Sequence, residues 1–320
     1  MEKDFKILFI VVLIILTVSG ALIYFSNYHN FLNNNNTTTS NVSNSKIVVA
    51  ASVLPQKEFI EKVGGDKVQV IVMVPPGGDP HTYEPKASQM EQIANAQMYV
   101  QVGSGIDFEM TWIDKIKSLN RNMLVINDSK GITFIPSIEN ISNTEQNGEN
   151  FSSTGINTGI TESDPHVWVS PKNAQVMVEN IYQGLVKIDP KNKEYYLINK
   201  ENYLKELRQL DKNITSELSN QKGSKILVYH PSWEYFCHDY GMTQIAIEKE
   251  GKDPTPKEMM NIINLSKKDN ITAIFVSPQY NTRSSEVIAS EIGAKLIFID
   301  ELAPDYVDNM RKIVNAFENG

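Results

Sequence analysis

The sequence has a single cysteine, Cys237, among its 320 residues. One cysteine cannot form an intramolecular disulfide or supply a cysteine-rich zinc site. Any metal ion bound by this chain must therefore be held by nitrogen and oxygen atoms, which directs attention to its five histidines. Cys237 itself is predicted to be a small buried hydrophobic residue.

Clusters of basic residues are lacking as well. The chain has 30 lysines and arginines against 38 aspartates and glutamates, which gives a formal net charge of −8. Binding to nucleic acid requires a basic face that neutralises phosphates, so we expect no nucleic-acid partner. Three signatures of catalysis or phosphate binding are also missing, namely the H-E-x-x-H zinc-protease motif, the P-loop and the G-x-S-x-G nucleophile elbow.

The N-terminus contains a long uncharged run from Ile7 to Phe25. This run can cross a bilayer as a helix, and it is longer than the apolar core of most signal peptides. We expect residues 1–30 to form a membrane anchor, with a cleaved secretion signal as the alternative. Residues 31–45 are polar and are predicted to be a solvated tether. In both cases the rest of the chain is expected on the extracytoplasmic face of the cell membrane.

From Lys46 onward, β-branched strand-like runs alternate with helical periodicity, which is typical of a parallel sheet. We predict an N-terminal α/β lobe over residues 46–188, interrupted at 136–163 by a polar insertion without periodicity. Residues 189–222 are predicted to form a long helix, which exceeds what one small lobe needs and is the candidate connector. The prediction rests on an apolar stripe formed by Tyr203, Leu207, Leu210, Ile214 and Leu218. The β/α alternation returns over residues 223–320 and predicts a second α/β lobe.

Three residues lie where sheets of this kind place their ligands, and a fourth shares its sequence motif with one of them. His230 and Asp300 end the strand-like runs KILVYH and KLIFID, and His81 follows the run VQVIVMV within GGDPHTYEP. Ligands of open parallel sheets bind outside the carboxyl ends of strands. His166 occupies a second Asp-Pro-His, in DPHVW, just before a predicted helix. Imidazole and carboxylate groups from both lobes could close around a divalent ion.

Each of these residues also has a structural interpretation. Asp-Pro starts type I turns, so the two Asp-Pro-His motifs alternatively mark turns with an incidental histidine. His230 is alternatively a partly buried histidine at a strand end, and Asp300 a helix cap or turn residue. The other two histidines, His29 and His238, are predicted to lie at the tether and in a packed helical stretch.

A set of motifs in a fixed order, from Lys46 to the C-terminus, resembles the zinc- and manganese-binding solute-binding proteins of ABC importers, the ZnuA/TroA-like family. The motifs are PPGGDPHTYEPKASQ, MYVQVGSGID, DPHVWVSPKNA, YHPSWEYFCHDYG, GKDPTPKEM, SPQYNTRSSEVIA and IDELAPDYVDNM. Two features depart from family members. The insertion at 136–163 contains no histidine, and no cysteine follows the apolar N-terminal run for lipid attachment.

The resemblance implies an α/β fold in which two lobes, joined by one long rigid helix, hold a metal ion between them. It implies His81, His166, His230 and Asp300 as the ligands. It further implies a monomeric receptor, not an enzyme, that captures a divalent transition metal and delivers it to the membrane permease of an ABC transporter. Three imidazoles and one carboxylate suit Zn²⁺ better than Mn²⁺, which favours more oxygen ligands. We therefore expect zinc, with manganese as the alternative.

A zinc-dependent hydrolase that uses the same four residues is the alternative function. Catalytic zinc keeps one position open for water, whereas four candidate protein ligands leave none, so a receptor is favoured. A third alternative is an adhesin or scaffold without a small ligand. In that case, replacement of the histidines should cause no loss of phenotype.

Overall fold

A computed structural model describes residues 46–137, 163–249 and 251–320. Residues Lys46–Gly320 form one compact unit. The predicted anchor and tether, and most of the predicted insertion, lie outside the described residues. Within the described part of the chain, no helix combines the length and the apolar character needed to cross a membrane.

The first half of this unit contains a four-stranded parallel sheet with the strand order β2-β1-β3-β4. The alternating pattern of β1 buries Val49 and Ala51 on one face and Ala50 on the other. Both faces are therefore covered by helices, as expected for parallel sheets. The strands are β1 (Ile47–Ala51), β2 (Val68–Val72), β3 (Met98–Gln101) and β4 (Leu124–Asn127). The helices are α1 (Leu54–Gly64), α2 (Ala87–Ile93), α3 (Asp107–Leu119) and α4 (Pro171–Ile188).

The second half repeats the same topology, with the strand order β6-β5-β7-β8 and all pairs parallel. Its strands are β5 (Lys225–Val228), β6 (Thr243–Ala246), β7 (Ala273–Val276) and β8 (Lys295–Phe298). Its helices, numbered after the long helix α5 (Lys193–Glu217), are α6 (Glu234–Tyr240), α7 (Pro256–Lys268), α8 (Arg283–Ile292) and α9 (Tyr306–Asn319). The predicted α/β fold of two lobes is confirmed.

The long helix α5 (Lys193–Glu217) joins the two sheets and has short 3₁₀ turns at both ends, Pro190–Asn192 and Leu218–Gln221. The helix packs against α1 and α4 of the first lobe and against α9 of the second. Its predicted apolar stripe is buried, and the members of that stripe are Tyr203, Leu207, Leu210, Ile214 and Leu218. One continuous core therefore extends from the first lobe through α5 into the second lobe.

Several local predictions are also confirmed. Ser170 caps α4 by accepting a hydrogen bond from the backbone N–H of Asn173, with Pro171 in the first turn. Thr255 and Glu258 form the predicted capping box of α7. Cys237 is buried. The last helix begins at Tyr306 rather than Pro304, because Asp305 has φ −97° and ψ 77°, outside the helical region.

Candidate metal site

Three of the four predicted site residues come together. His81, His166 and His230 each offer a ring nitrogen, and these nitrogens lie within 4.8 Å of one another. His81 and His166 belong to the first lobe, whereas His230 belongs to the second. The side chain of His81 is about a quarter exposed, at 24%, while those of His166 and His230 are buried. The cluster therefore joins the two lobes and opens to solvent on the side of His81.

The turn that carries His81 follows β2 and is built by Asp79. One carboxylate oxygen of Asp79 accepts the backbone N–H of His81 at 2.9 Å, and the other accepts the hydroxyl of Thr82 at 2.9 Å. The carbonyl of Pro80 accepts the backbone N–H of Phe108, which fastens the turn to the start of α3. The Asp79-Pro80 pair therefore forms a turn, as the structural interpretation of the motif predicts. The same turn also places His81 in the cluster.

The second Asp-Pro-His motif uses the same device. Asp164 Oδ1 accepts the backbone N–H of His166 at 2.8 Å, as Asp79 does for His81. Just before this motif, Pro136 and Ser163 form an antiparallel bridge, and the backbone N–H of Asp164 donates to the carbonyl of Ile135 at 2.9 Å. The two ends of the predicted insertion are therefore joined. These bonds fix the position of the backbone just before His166.

His230 lies two residues beyond β5, at the carboxyl end of the strand, as predicted from sequence. Its ring is central to the cluster, because its Nε2 lies 3.2 Å from Nε2 of His81 and 3.2 Å from Nε2 of His166. Two nitrogens bound to one tetrahedral zinc ion at about 2.05 Å lie about 3.3 Å apart. The observed spacings match the edges of a zinc coordination tetrahedron.

Each histidine presents its other ring nitrogen to a carboxylate. Nδ1 lies 2.7 Å from Asp107 Oδ2 in His81, 2.8 Å from Asp164 Oδ1 in His166, and 3.3 Å from Glu248 Oε1 in His230. This arrangement places the proton on Nδ1 and leaves Nε2 with a lone pair. The three nitrogens could therefore hold one cation, which would relieve the mutual repulsion of their lone pairs.

Burial controls the protonation of the two inner histidines. It lowers the pKa of His166 well below 6.5, and it lowers the pKa of His230 to about 4 even though Glu248 acts in the opposite direction. Both rings are therefore neutral at pH 7, the form that binds metal. For His81, burial also lowers the pKa, but the hydrogen bond that Nδ1–H donates to Asp107 and the nearby acidic charges outweigh it, so the pKa lies above 6.5.

The fourth predicted ligand, Asp300, lies two residues beyond β8 but is not a member of the histidine cluster. Its Oδ1 accepts hydrogen bonds from Gln279 Nε2 at 2.7 Å and from the backbone N–H of Leu302 at 2.9 Å. The hydrogen bond from the backbone N–H of Leu302 gives Asp300 the role of a turn residue, which was its structural interpretation. The three histidines therefore lie together, whereas the carboxylate of Asp300 lies outside their cluster and is hydrogen-bonded to Gln279.

Sequence reasoning missed the residues that orient the histidines. Asp107 and Glu248 are 26 and 18 residues away from their histidine partners along the chain, so no local spacing links them. Asp164 was visible within the second Asp-Pro-His motif, but only as a turn residue. Trp168, also in that motif, donates from its indole N–H to the carbonyl of Glu301 at 2.9 Å and so joins the first lobe to the second.

Two parallel-sheet lobes on one shared helix, with histidines from both lobes converging between them, define a two-lobed metal-binding protein. A family model described as the periplasmic component A of a zinc-uptake complex, ZnuA, matches residues 49–320. The chain belongs to this family. Members of the family are metal-binding transport receptors and not enzymes, so the hydrolase alternative is set aside.

Similar proteins cover most of this chain. A putative metal-binding protein of Chlamydia muridarum is 28% identical over 272 residues, which is 84% of this chain and 90% of that protein. The high-affinity zinc uptake system protein ZnuA of Bacillus subtilis is 27% identical over 288 residues, 86% of this chain and 87% of that protein.

Solved structures share the fold. A crystal structure of ZnuA aligns with a TM-score of 0.77 and 36% sequence identity over 86% of this chain and 99% of that chain. A manganese-bound periplasmic metal-binding protein from Candidatus Liberibacter asiaticus aligns with a TM-score of 0.69 over 85% of this chain, at 22% identity. That second likeness shows the fold alone.

Proposed function

We propose that this protein is an extracytoplasmic receptor that binds one Zn²⁺ ion between its lobes through His81, His166, His230 and Asp300, and that delivers the ion to the membrane permease of an ABC transporter. The proposal rests on the convergence of ring nitrogens, because Nε2 of His230 lies 3.2 Å from Nε2 of both His81 and His166. The other ring nitrogen of each histidine faces a carboxylate. Membership of a family described by zinc uptake supports the same cargo.

The donor set favours zinc over manganese. Three neutral imidazoles are well suited to Zn²⁺, whereas Mn²⁺ prefers more oxygen ligands. Asp300 completes a tetrahedral set of four protein ligands if its Oδ2, the oxygen not used by Gln279, turns toward the histidines. A closed set of protein ligands suits capture and transport, because it leaves no position for a reacting water molecule.

Metal content tests the binding step. The full chain, purified without chelators, is expected to hold about one zinc ion per molecule, measured by elemental analysis. Replacement of any one of the four proposed ligands by alanine should reduce this content. His238→Ala is the matched control, because the side chain of His238 is 70% exposed and lies outside the cluster. A wild-type chain that holds no zinc and gains no thermal stability from added zinc would contradict the proposal.

Zinc-limited growth tests the delivery step. A strain that lacks this protein should need more zinc in its medium, and the wild-type chain should restore growth whereas His230→Ala should not. Equal rescue by His230→Ala would mean that the cluster is not used for uptake.

Attachment to the membrane is a separate part of the proposal. The uncharged run from Ile7 to Phe25 and the polar stretch after it support either an anchor or an export signal. Mass spectrometry of the protein recovered from cell membranes distinguishes the two. An intact N-terminus supports the anchor, and loss of the apolar run supports signal cleavage.

A further inference from the structure

The three candidate histidines are not held equally by their carboxylates. Nδ1 of His81 and of His166 lie 2.7 and 2.8 Å from their partners, the lengths of good charge-assisted hydrogen bonds. Nδ1 of His230 lies 3.3 and 3.4 Å from the two oxygens of Glu248, which is long for such a bond. His230 is the central ring of the cluster, so its orientation needs another restraint.

Tyr280 supplies that restraint. Its ring stacks on the imidazole of His230 with a centroid distance of 4.5 Å and an interplanar angle of 27°. Tyr280 lies in the loop between β7 and α8, where its backbone N–H donates to the carbonyl of Ser277 at 3.2 Å. The ring of Tyr229 flanks it at 5.9 Å. The stacked ring limits rotation of His230 about its side-chain bonds, which the long contact to Glu248 does only weakly.

The hydroxyl of Tyr280 extends from the second lobe to the first. It lies 3.5 Å from Asp79 Oδ1, the same oxygen that accepts the backbone N–H of His81. One side chain therefore contacts the ligand of the second lobe with its ring and the turn that carries the ligand of the first lobe with its hydroxyl. Any separation of the lobes at the site has to break this contact.

We propose that Tyr280 is a positioning residue with two separable roles. Its ring fixes His230 in the orientation that binds zinc, and its hydroxyl, through Asp79, slows separation of the lobes and hence zinc release. This inference rests on the proposed function, because it assigns a role to a residue that does not itself contact the ion.

Two substitutions in the full chain separate the roles. Tyr280→Phe keeps the ring and removes the hydroxyl, so the visible absorption spectrum of bound Co²⁺ should stay close to wild type. Zinc release to a chelator in stopped flow should accelerate about twofold, the lower limit for loss of one hydrogen bond, because the 3.5 Å contact is long. Zinc affinity should fall by no more than the same factor. Tyr280→Leu removes the ring, so the Co²⁺ spectrum should change and zinc affinity should fall about 10- to 100-fold, as for loss of a group that orients a ligand.

Tyr229→Phe is the matched control. It removes a neighbouring hydroxyl whose partner, Asp253, lies in the same lobe at 3.0 Å. Its release rate should equal that of the wild type. Placing Tyr280→Leu in a His230→Ala background tests whether the ring acts through His230, and in that background the substitution should cause no further loss of affinity.

Each outcome decides one part of the inference. Wild-type release from Tyr280→Phe, or equal acceleration by Tyr229→Phe, would overturn the role of the hydroxyl. An unchanged Co²⁺ spectrum and affinity in Tyr280→Leu, or an undiminished effect in the His230→Ala background, would overturn the role of the ring. If Tyr280→Leu does not fold, Tyr280→Met replaces it. Failure of the wild-type chain to bind zinc would instead contradict the proposed function itself.

Discussion

At the scale of residues, burial and the neighbouring carboxylates together set when each histidine can accept a metal ion. Burial keeps His166 and His230 neutral well below pH 7. His81 differs, because Asp107 and the surrounding acidic groups raise its pKa above 6.5 despite burial. His81 is also the most exposed of the three. As the pH falls, it should be the first of the three histidines to bind a proton in place of the metal ion.

This difference predicts the pH dependence of zinc binding. Binding requires neutral His81, so affinity should be full above the raised pKa of His81 and should fall as the pH drops through that pKa. Asp107→Asn removes the main group that raises this pKa, so the pH at which affinity is half lost should move to a lower value. The affinity at pH 8 should also fall about 10-fold or more, because the ring loses its orienting partner. Chelator competition from pH 8 to pH 5, the range in which histidines titrate, measures both effects.

The control for this prediction is Asp114→Asn, which removes an exposed carboxylate from the same helix, α3. It should leave the pH midpoint unchanged. A midpoint that does not move in Asp107→Asn, or that moves equally in the control, would show that Asp107 does not govern His81.

Gln279 should matter for zinc binding only through Asp300. Its side-chain amide donates to Asp300 Oδ1 at 2.7 Å, which leaves Oδ2 as the oxygen for the metal. Gln279→Met has similar volume but no donor, and it should weaken zinc binding about 10-fold. The same substitution in an Asp300→Ala background should have no further effect, as measured in a double-mutant cycle by chelator competition. Additive losses would mean that Gln279 acts elsewhere.

The sequence places a residue near the edge of a sheet where that residue follows a strand end, but it does not identify a partner that is distant along the chain. His81 and His230 could be placed because the carboxyl ends of parallel strands meet at one edge. Asp107, Glu248 and Tyr280 could not, since their contacts depend on how two loops or two lobes pack. Asp300 as a ligand stays a prediction.

At the scale of elements, α1 of the first lobe is joined to α9 of the second by one carboxylate. Glu58 accepts a hydrogen bond from the hydroxyl of Tyr203 at 2.8 Å. Burial raises the pKa of Glu58, and the backbone N–H groups of Tyr306 and Val307, at the start of α9, act in the opposite direction by stabilising its carboxylate. The first N–H groups of a helix have no partners within the helix, and a carboxylate there is stabilising. Glu58 therefore caps a helix of the opposite lobe.

We predict that Glu58→Ala lowers the free energy of unfolding by about 1–2 kcal/mol, the usual value of a lost N-terminal cap. Glu61→Ala is the matched control on the same helix, because Glu61 is exposed and forms an ion pair with neighbouring Lys57. Its effect should be below about 0.5 kcal/mol. Urea denaturation at pH 7 measures both, and equal effects would contradict the capping role.

Most elements could be predicted from sequence because their signals are local. Strand-like runs, the Ser170 cap and the capping box at Thr255 depend on neighbouring residues, and all are present in the structure. The capping of α9 by Glu58 could not be predicted, because the two partners are almost 250 residues apart, as their numbers show. The same applies to the start of α9, which depends on the backbone of Asp305.

At the scale of the whole molecule, the long helix α5 makes the two lobes share one core. Leu207 is fully buried near the middle of α5, within the cluster that extends into both lobes. Leu207→Ala should lower the free energy of unfolding by about 2–5 kcal/mol through the lost contacts and the cavity left behind. Tryptophan fluorescence and far-UV circular dichroism should still report one shared transition. Two separate transitions in the wild type would contradict a shared core.

We propose that His81, His166 and His230 together bind one zinc ion between the lobes. A crystal structure of the zinc-loaded protein, with anomalous scattering measured at the zinc edge, locates the ion. We expect one anomalous peak at about 2.0–2.1 Å from Nε2 of all three histidines, with Asp300 as the fourth ligand. A zinc ion bound elsewhere, or bound through Nδ1 with the carboxylate partners displaced, would contradict it.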